Sequence, residues 1–404
     1  MTEFVKSAVA SDLKKFRVKC GGQEISEQCL HTGIFQEIWM PTWTCAIGVN
    51  DMNNLLMNIP IRMGVDLSIK IQTQVESEMD STKEFKFKVS HITDKKMLNE
   101  KAWYYTLIGV GEELIKNNKI RVQKSYANIL ASTIAEGLAN KIGITLEKEA
   151  TDNTLHTIIP NLTPMHAIAQ IQKASIKNGA ADYLFFQKDS GLYIYKPFEK
   201  CYNENSGFIF KQKVNHIRND AGNIEEDYCL AFHKYQFQEH SDGIGGQSTG
   251  YMASKVEEFD FISKEADEKT FNYGDDVGAD KSKKLWKGDW EEPKSNITWQ
   301  PKHNDMVAGK SIIDHNKDYI SSRKSNLFKL DDNKLLIQCP GGVKSWTGIG
   351  KYCKVKLPSH QDVSKTKMDD MFEGKYLIAA IGHMISRNGY FVNYELVKKR
   401  TKKS

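Results

Sequence analysis

The stretch Asn53–Pro60, NNLLMNIP, has a near copy at Asn333–Pro340, NKLLIQCP, and the two align without a gap. A glycine follows each stretch and leads into a segment in which apolar and polar residues alternate. These segments are Gly64–Ile71 and Gly350–Leu357. Such alternation is typical of a β-strand with one buried face. The order of the matching blocks indicates an internal repeat, with one copy near each end of the chain.

A third block supports the repeat. Phe85–Ile92 aligns with Leu377–Met384, and each copy then finishes in an aromatic strand, Trp103–Leu107 or Tyr390–Tyr394. The distance between copies grows only through short insertions where turns are expected. Antiparallel strands with one wet face are stable when a barrel closes their edges. The sequence therefore predicts two similar small β-barrels.

The segment Gly348–Lys351, GIGK, raises a different interpretation, a phosphate-binding loop. A loop of the G-x-x-x-x-G-K-[ST] type needs a glycine five residues before its second glycine, and a serine or threonine after the lysine. Ser345 and Tyr352 stand at those positions instead. We therefore expect Gly350 to form the corner before a strand, where glycine permits a sharp bend.

The rest of the first 115 residues also reads as β. Val65–Gln72, Glu84–Ile92 and Trp103–Val110 alternate, and charged or turn-forming residues separate them. Phe16–Lys19 and Gly33–Trp39 are candidates for two further short strands.

The middle of the chain changes to a helical period. Ser125 is a plausible N-cap for a first helix, which Gly143 would end. The apolar positions of this helix are Ala127, Leu130, Ile134 and Leu138.

A second helix has clearer signals. Thr163 can cap it, Pro164 holds the favoured first position, and Gly179 would end it. Its apolar side carries Ile168, Ile171 and Ala174. Two strands, Tyr183–Phe186 and Leu192–Tyr195, follow around the turn Asp189–Gly191, so about 120–200 is predicted to be a small α+β unit.

Residues 241–310 differ from both ends. They begin with the glycine-rich SDGIGGQSTG and continue with mixed charges around Trp286, Trp290 and Trp299. We predict an irregular insertion here that a partner could order. Asp275 and Asp276 lack calcium-loop spacing, which favours a solvated surface.

Composition excludes little. The chain has 404 residues, 40% hydrophobic and 26% charged, and its net charge of +5 is too balanced to indicate nucleic acid by itself. No secretion signal and no apolar run of about 18 residues is present, so we expect synthesis in a cytoplasm and no membrane insertion. The seven cysteines form no C-x-x-C pair, and we expect them to be reduced structural residues.

No catalytic, cofactor-binding or metal-binding residue is predicted. The sequence lacks H-E-x-x-H, and no acidic pair is marked. The one match to G-x-S-x-G, Gly246–Gly250, falls within the glycine-rich stretch and not between a predicted strand and a predicted helix, so no nucleophile elbow is predicted. The alignment makes His91 and His383 equivalent, either as ligands and pH switches or as structural strand residues, and we favour the structural interpretation. We interpret the basic tail Lys398–Lys403 as a solvated terminus. In Phe85–Lys88 the aromatic rings would lie on the core face of one strand and the lysines on its solvent face.

Several segments together resemble a known family. They are SYANIL from Ser125, TPMHAIAQIQKAS from Thr163, DYLFFQKDSGLYIY from Asp182, and GKYLIAAIGHMISRNGYFVNYELVKK from Gly374. With the β-rich start, this layout resembles the central baseplate hub proteins of contractile-tailed phages and the hub part of type VI secretion spikes. The resemblance covers most of the chain and is weakest over 241–310.

The resemblance implies a mainly β fold with an α+β insertion, in which two tube-type barrels flank the helical unit and the charged insertion. The first barrel would span 1–118 and the α+β domain 119–200. The second barrel would begin at 201–240 and resume at 331–397. The insertion would span 241–330, and the basic tail 398–404.

The same resemblance implies a structural virion protein without enzymatic activity or cofactors. Three copies would form a ring of six barrels that adapts a sixfold tail tube above to a threefold spike below. Other baseplate proteins would contact its outside, and genomic DNA would pass through its channel. Two alternatives stay open at the sequence level. One is a tail-associated cell-wall hydrolase, and the other a two-barrel nucleic-acid-binding protein.

Overall fold

The structure of the protein is a computed structural model. The structure describes residues 13–59, 61–73, 82–100, 102–189, 191–212, 228–232, 234–239, 253–260, 264–272, 297–302, 333–358 and 373–398.

The N-terminal part is built from seven strands and one short helix. In chain order they are β1 (Leu13–Cys20), β2 (Gln23–Glu24), β3 (Cys29–Glu37), β4 (Thr44–Asp51), α1 (Leu55–Asn58), β5 (Asp66–Thr73), β6 (Thr82–Asn99) and β7 (Ala102–Val110). The alternation that predicted strands here is confirmed, because Leu67, Ile69 and Ile71 of β5 are buried while Ser68 and Lys70 face outward.

The middle part mixes helices with strands. Its elements are α2 (Glu112–Asn118), β8 (Val122–Leu130), α3 (Ala131–Lys141), β9 (Thr145–Lys148), β10 (Thr154–Leu162), α4 (Pro164–Lys173), β11 (Tyr183–Asp189), β12 (Leu192–Pro197) and α5 (Phe198–Asn203). Strands β8 and β10 form a two-stranded sheet, and β9, β12 and β11 a three-stranded one. The helices α3 and α4 pack on these strands around a separate core that includes Ile134, Leu138 and Ile168.

The C-terminal part returns to strands. They are β13 (Asn205–Gln212), β14 (Ala231–Phe232), β15 (Lys234–Glu239), β16 (Ala253–Asp260), β17 (Ala266–Asn272), β18 (Ile297–Lys302), β19 (Asn333–Pro340), β20 (Tyr352–Lys356), β21 (Gly374–Ser386) and β22 (Gly389–Val397). Strands β16, β17 and β18 form a small sheet of their own. The other strands join the N-terminal ones in one 14-stranded sheet.

That large sheet contains two runs of strands in the same order. The first run is β2-β1-β5-β6-β7-β4-β3, and the second is β14-β13-β20-β21-β22-β19-β15. The two runs differ at one end, because β1 pairs antiparallel with β5 whereas β13 pairs parallel with β20. The strands of both runs contribute to one buried core, so the sheet curls around its apolar face. The predicted mainly β fold is confirmed.

The sequence alignment of the repeat blocks is wrong in two places. Asn333–Pro340 forms the strand β19, whereas Asn53–Pro60 contains the short helix α1, so these two stretches do not match. The alignment of Phe85–Ile92 with Leu377–Met384 is shifted by three positions. Val89 and Ile378 each accept a hydrogen bond from the glycine at the corner that leads into the neighbouring strand, so these two residues correspond. His383 therefore does not correspond to His91.

The helix prediction from Ser125 is also wrong at its start. Ser125 lies in β8, opposite Ile158 of β10, and α3 begins six residues later at Ala131. Sheet pairing overrides the helical period in this segment, while Ile134 and Leu138 are buried on α3 as predicted. Gly143 follows the helix with a φ of +71°.

The second helix begins as predicted and ends earlier. Pro164 is its first residue, but Thr163 makes no side-chain cap hydrogen bond. The helix ends at Lys173, so Gly179 does not end it and belongs to a later turn. The two strands predicted after it are confirmed as β11 and β12.

The prediction of an irregular segment at 241–310 is wrong where the structure describes it, because β16, β17 and β18 lie there. Trp299 is exposed on β18, while Trp286 and Trp290 lie outside the described residues. Among the helices of the described ranges, none is long and apolar enough to span a membrane.

Candidate assembly surfaces

In the part of the sheet that the structure describes, the two runs of strands meet at a seam between β3 and β21. These strands pair antiparallel from Glu37 opposite Ala380 to His31 opposite Ser386. The backbone N–H of Ile38 continues the ladder and donates to the carbonyl of Ala379 at 2.9 Å. The seam fuses the halves into one sheet through main-chain hydrogen bonds, which carry no requirement for particular side chains.

A buried polar cluster lies behind the seam. His383 is only 1% exposed, and its Nδ1 lies 2.8 Å from Tyr390 Oη. Trp346 Nε1 donates to the same hydroxyl at 3.1 Å, and the Phe85 ring packs 5.7 Å from the imidazole. Burial, with a smaller effect from Lys83, lowers the pKa of His383 to about 3. This histidine is therefore neutral at physiological pH and serves packing, in line with the structural interpretation.

The middle part docks on the seam through backbone carbonyls of β11. Gln36 is buried in β3, and its Nε2 donates to the carbonyl oxygens of Gln187 at 3.0 Å and Lys188 at 2.5 Å. Trp43 Nε1 donates to the Gln187 carbonyl at 3.2 Å, and its backbone N–H donates to Gln187 Oε1 at 3.1 Å. Because Gln36 occupies an inward position of a predicted strand, this buried amide is a signal that the sequence already contained.

An ion-pair network ties the same unit to the second run of strands. Glu204 lies 3.3 Å from Lys188, 3.6 Å from Lys196 and 3.4 Å from Lys351. Glu147 pairs with Lys188 at 3.6 Å and also with Lys196. Burial alone would raise the pKa of each glutamate, but the lysines outweigh it and lower both pKa values. The sequence carries no local signal of this network, since its members lie far apart along the chain.

The GIGK segment is part of this contact. Gly350 has a φ of +69°, and a Cβ added there would lie 2.2 Å from Phe186 Cζ of β11. Its backbone N–H donates to the carbonyl of Ile378, and Lys351 joins the network through Glu204. The segment leads into β20, so the predicted corner before a strand is confirmed.

A groove of about 770 Å³ lies on the face of the sheet that points away from the core. Its lining includes Phe35, Glu37, Gln236, Leu336, Ala380 and Glu395. Burial, followed by the nearby charge of Glu395, raises the pKa of Glu37. The groove thus runs beside the seam and reaches β15 at the end of the second run.

Metal-binding clusters of side chains are not seen among the described residues. These residues contain no group of three or more histidine, cysteine, aspartate or glutamate side chains that could hold a metal ion. His91 is exposed, and its Nδ1 lies 3.1 Å from Ser90 Oγ, whereas His383 is buried. All seven cysteines are free, and burial raises the pKa of Cys20 to about 11 and of Cys29 to about 12. Thiols of this kind are poor nucleophiles at neutral pH.

No protein-family model matches the sequence, and no curated protein sequence matches it. Solved structures do match. A 43 kDa tail protein of prophage MuSo2 from Shewanella oneidensis is 11% identical with a TM-score of 0.57, and the match covers 95% of this chain and 98% of that one. A tail protein from Neisseria meningitidis MC58 is 12% identical with a TM-score of 0.52, covering 95% and 96%.

A third structure is an E. coli component of the type VI secretion system, described as similar to the T4 bacteriophage tail proteins gp27 and gp5. It is 9% identical over 95% of this chain and 77% of that one, with a TM-score of 0.48. The two higher scores establish that this chain has the fold of phage tail proteins over nearly its whole length. The resemblance drawn from the sequence is confirmed at this level.

Proposed function

We propose that this protein is a structural component of a phage tail, the central hub of its baseplate. Three copies would form a ring that joins the tail tube above to the spike below, and other baseplate proteins would bind around it. One observation carries the proposal, namely that a chain with the fold of tail proteins contains the same order of strands twice.

Local details support the idea that the two runs are copies of one domain. Each run has a bulge at the same place, between Val89 and His91 in β6 and between Ile378 and Ala380 in β21. In each run a corner glycine donates its N–H to the residue before that bulge. Gly64 donates to the Val89 carbonyl at 2.8 Å, and Gly350 to the Ile378 carbonyl at 2.9 Å. We assign the copies to 1–118 and to 201–240 with 331–397.

Two copies per chain explain how a threefold ring can meet a sixfold partner. Three chains would present six similar domains to the tail tube, while the chain as a whole keeps threefold symmetry for the spike. Cyclic assemblies of this kind use heterologous contacts, in which different surfaces of neighbouring subunits meet. The middle part, 119–200, and the insertion, 241–330, would then contact other baseplate proteins.

The distribution of charge supports a channel for DNA. The strands around the seam, β3, β4, β7, β22 and the paired part of β21, contain no lysine or arginine. Lysines are more frequent on three other strands of the large sheet, namely β1, β6 and β20. They are Lys14, Lys15 and Lys19 in β1, Lys83, Lys86, Lys88, Lys95 and Lys96 in β6, and Lys354 and Lys356 in β20. Because lysine and arginine hold DNA through its phosphates, a surface without them lets DNA pass without retaining it. We place the seam strands at the channel.

The mass of the protein in solution tests this function. We expect light scattering to give three chains per particle when the protein is mixed with its neighbouring tail-tube and spike proteins, with a central channel visible by electron microscopy. A protein that stays monomeric with every tail component would contradict the hub. Assays of cell-wall hydrolysis and of nucleic-acid binding would then separate the two alternatives.

A further inference from the structure

We infer that the outer edge of β15 in one copy pairs antiparallel with residues 91–97 of β6 in the next copy. This contact would repeat, between chains, the seam that β3 and β21 form within one chain. The inference rests on the proposed ring and names the surface that closes it.

The seam within the chain depends on a strand that is longer than its first neighbour. The strand β21 pairs with β20 only from Gly374 to Leu377. Beyond that point, from Ala380 to Ser386, the same edge is taken over by β3. The overhang of β21 therefore creates the docking edge for the other half.

The strand β6 also has an overhang, which differs from that of β21 by a bulge between Thr93 and Lys96. It pairs with β5 only from Thr82 to Lys88, yet it continues beside β7 as far as Asn99. Within the strands that the structure describes, residues 91–99 pair along one edge, with β7. Met97 and Leu98 on this overhang are 56% and 50% exposed, which is unusual for two adjacent large apolar residues.

The strand β15 holds the position that β3 has in the first run. It lies beside β19, which lies beside β22, just as β3 lies beside β4 and β4 beside β7. In the described part of the sheet, β15 has one paired strand, β19. Tyr235 and Phe237 pack toward the core, and Lys234 and Gln236 are exposed on the other face. An edge strand of this kind is a template for pairing with another chain.

The register of the new pair follows from two equivalences. The first concerns the overhangs, since Thr93 lies opposite Thr106 in β7 and Gly382 lies opposite Asn393 in β22. Both residues come four positions after Val89 and Ile378, the residues bonded by the corner glycines. Thr93 therefore occupies the place of Gly382.

The second equivalence concerns the docking strands. Phe35 of β3 lies opposite Thr44, and Thr44 lies opposite Val110. Gln238 of β15 lies opposite Lys334, which lies opposite Val397. Val110 lies opposite Lys88, and Val397 lies opposite Leu377. Lys88 and Leu377 each come one position before the residue that the corner glycine bonds, so Val110 and Val397 are equivalent.

Gln238 therefore occupies the place of Phe35. Since Phe35 pairs with Gly382 in the seam, Gln238 of one copy should face Thr93 of the next. The two edges lie on different strands of the chain. Each copy therefore has two different contact surfaces, one for the copy before it and one for the copy after it. Such contacts propagate around a ring until it closes.

Cysteine cross-linking tests the register. In the double variant Thr93→Cys, Gln238→Cys, the two Cα atoms of neighbouring copies would lie about 5.5 Å apart, which is the usual span of a disulfide. Under mild oxidation we expect covalent dimers and trimers on a non-reducing gel, with no larger species, because a closed ring of three offers no further site. The protein without substitutions, with its seven native cysteines, sets the background.

Two further variants serve as controls. The pair His31→Cys, Ser386→Cys lies in the existing seam and should form a disulfide within one chain, giving no covalent oligomer. The pair Thr93→Cys, Lys234→Cys is displaced by four residues along β15, about 13 Å, and should not cross-link. Efficient cross-linking of this displaced pair, with none at Gln238, would overturn the register.

The unsubstituted protein provides a second readout. Amides of residues 91–97 and 234–239 should become at least tenfold slower in hydrogen exchange when the assembly forms. If three chains assemble but neither the disulfide nor this protection is found, the inferred pairing is wrong and the hub survives. If no assembly forms with any tail protein, the hub and the pairing fail together.

Discussion

At the scale of single residues, the fold depends on close contacts that leave no room for a side chain. Gly350 combines a left-handed backbone with a Cβ position 2.2 Å from the Phe186 ring. The sequence predicted the corner, because glycine precedes an alternating strand there. It could not predict Phe186, since nothing local links β11 to a residue more than 160 positions away.

We expect Gly350→Ala to destabilise the protein by about 3 kcal/mol. This is the sum of the backbone cost of an alanine in the left-handed conformation and the cost of overpacking its contact. Gly143→Ala is the matched control, because Gly143 has a similar φ of +71° and open space around its Cβ position. The control should lose only about 1–2 kcal/mol, the backbone cost alone. Urea unfolding measures both variants, and equal losses would show that the Phe186 contact is not tight.

His383 makes stability depend on pH. Its pKa falls from 6.5 to about 3 on folding, so between these values the unfolded chain binds the proton and the folded chain does not. Stability is therefore complete above pH 6.5 and decreases as the pH falls toward 3, by up to about 1.4 kcal/mol per pH unit.

The variant His383→Gln should flatten this dependence between pH 6.5 and 4, measured as urea midpoints at a series of pH values. The raised pKa of Glu37 acts in the opposite direction, since that group favours the folded state when protonated. Glu37→Gln is therefore the control, and it should leave the His383 contribution in place. An imidazole signal of His383 that titrates near pH 6.5 by NMR would refute the assignment.

At the scale of elements, the sequence predicted strands better than helix boundaries. Strand alternation in β5, β6 and β7 reflects one buried face, which is a local property. The helix predicted from Ser125 begins too early because β8 and α3 adjoin without a loop, so one apolar pattern runs from the strand into the helix. The pairing of β8 with β10 is decided by residues about 30 positions away.

The network around Glu204 should hold the middle part against the second run of strands. The variant Glu204→Gln removes one of the two acidic side chains of this network. Glu147 then remains as the acidic partner for the lysines Lys188, Lys196 and Lys351. We expect a loss of about 1–3 kcal/mol, because the group is partly buried and bridges several charges. The loss should shrink in 1 M salt, where charges are screened within about 3 Å.

Glu112→Gln is the matched control for that variant. Glu112 pairs with Lys116 at 3.4 Å on the exposed side of α2, one helical turn away. Such a pair contributes only about 0.3–0.5 kcal/mol. Equal effects of the two substitutions on the urea midpoint would mean that the Glu204 network contributes no more than a surface pair. The lowered pKa values of Glu147 and Glu204 also predict that the network weakens in acid, below about pH 4.5.

At the scale of the whole molecule, the two halves of the large sheet can be compared through their strand order, whereas short sequence matches align them incorrectly. The matching blocks pointed to a duplication, yet two of the three were paired wrongly, since alternating strands resemble one another at several offsets. The proposed correspondence rests instead on the bulges after Val89 and Ile378 and on the hydrogen bonds of the corners at Gly64 and Gly350. The seam itself had no sequence signal, because backbone pairing makes few demands on side chains.

The most direct test of the account is the number of lobes in the assembled ring, counted in electron-microscopy images viewed along its axis. In the proposed hub each chain contributes two similar domains, so three chains should give six lobes around one channel, with the middle parts projecting at three positions. A ring with three lobes, or a particle with twofold symmetry, would contradict the claim that the two runs of strands take equivalent places.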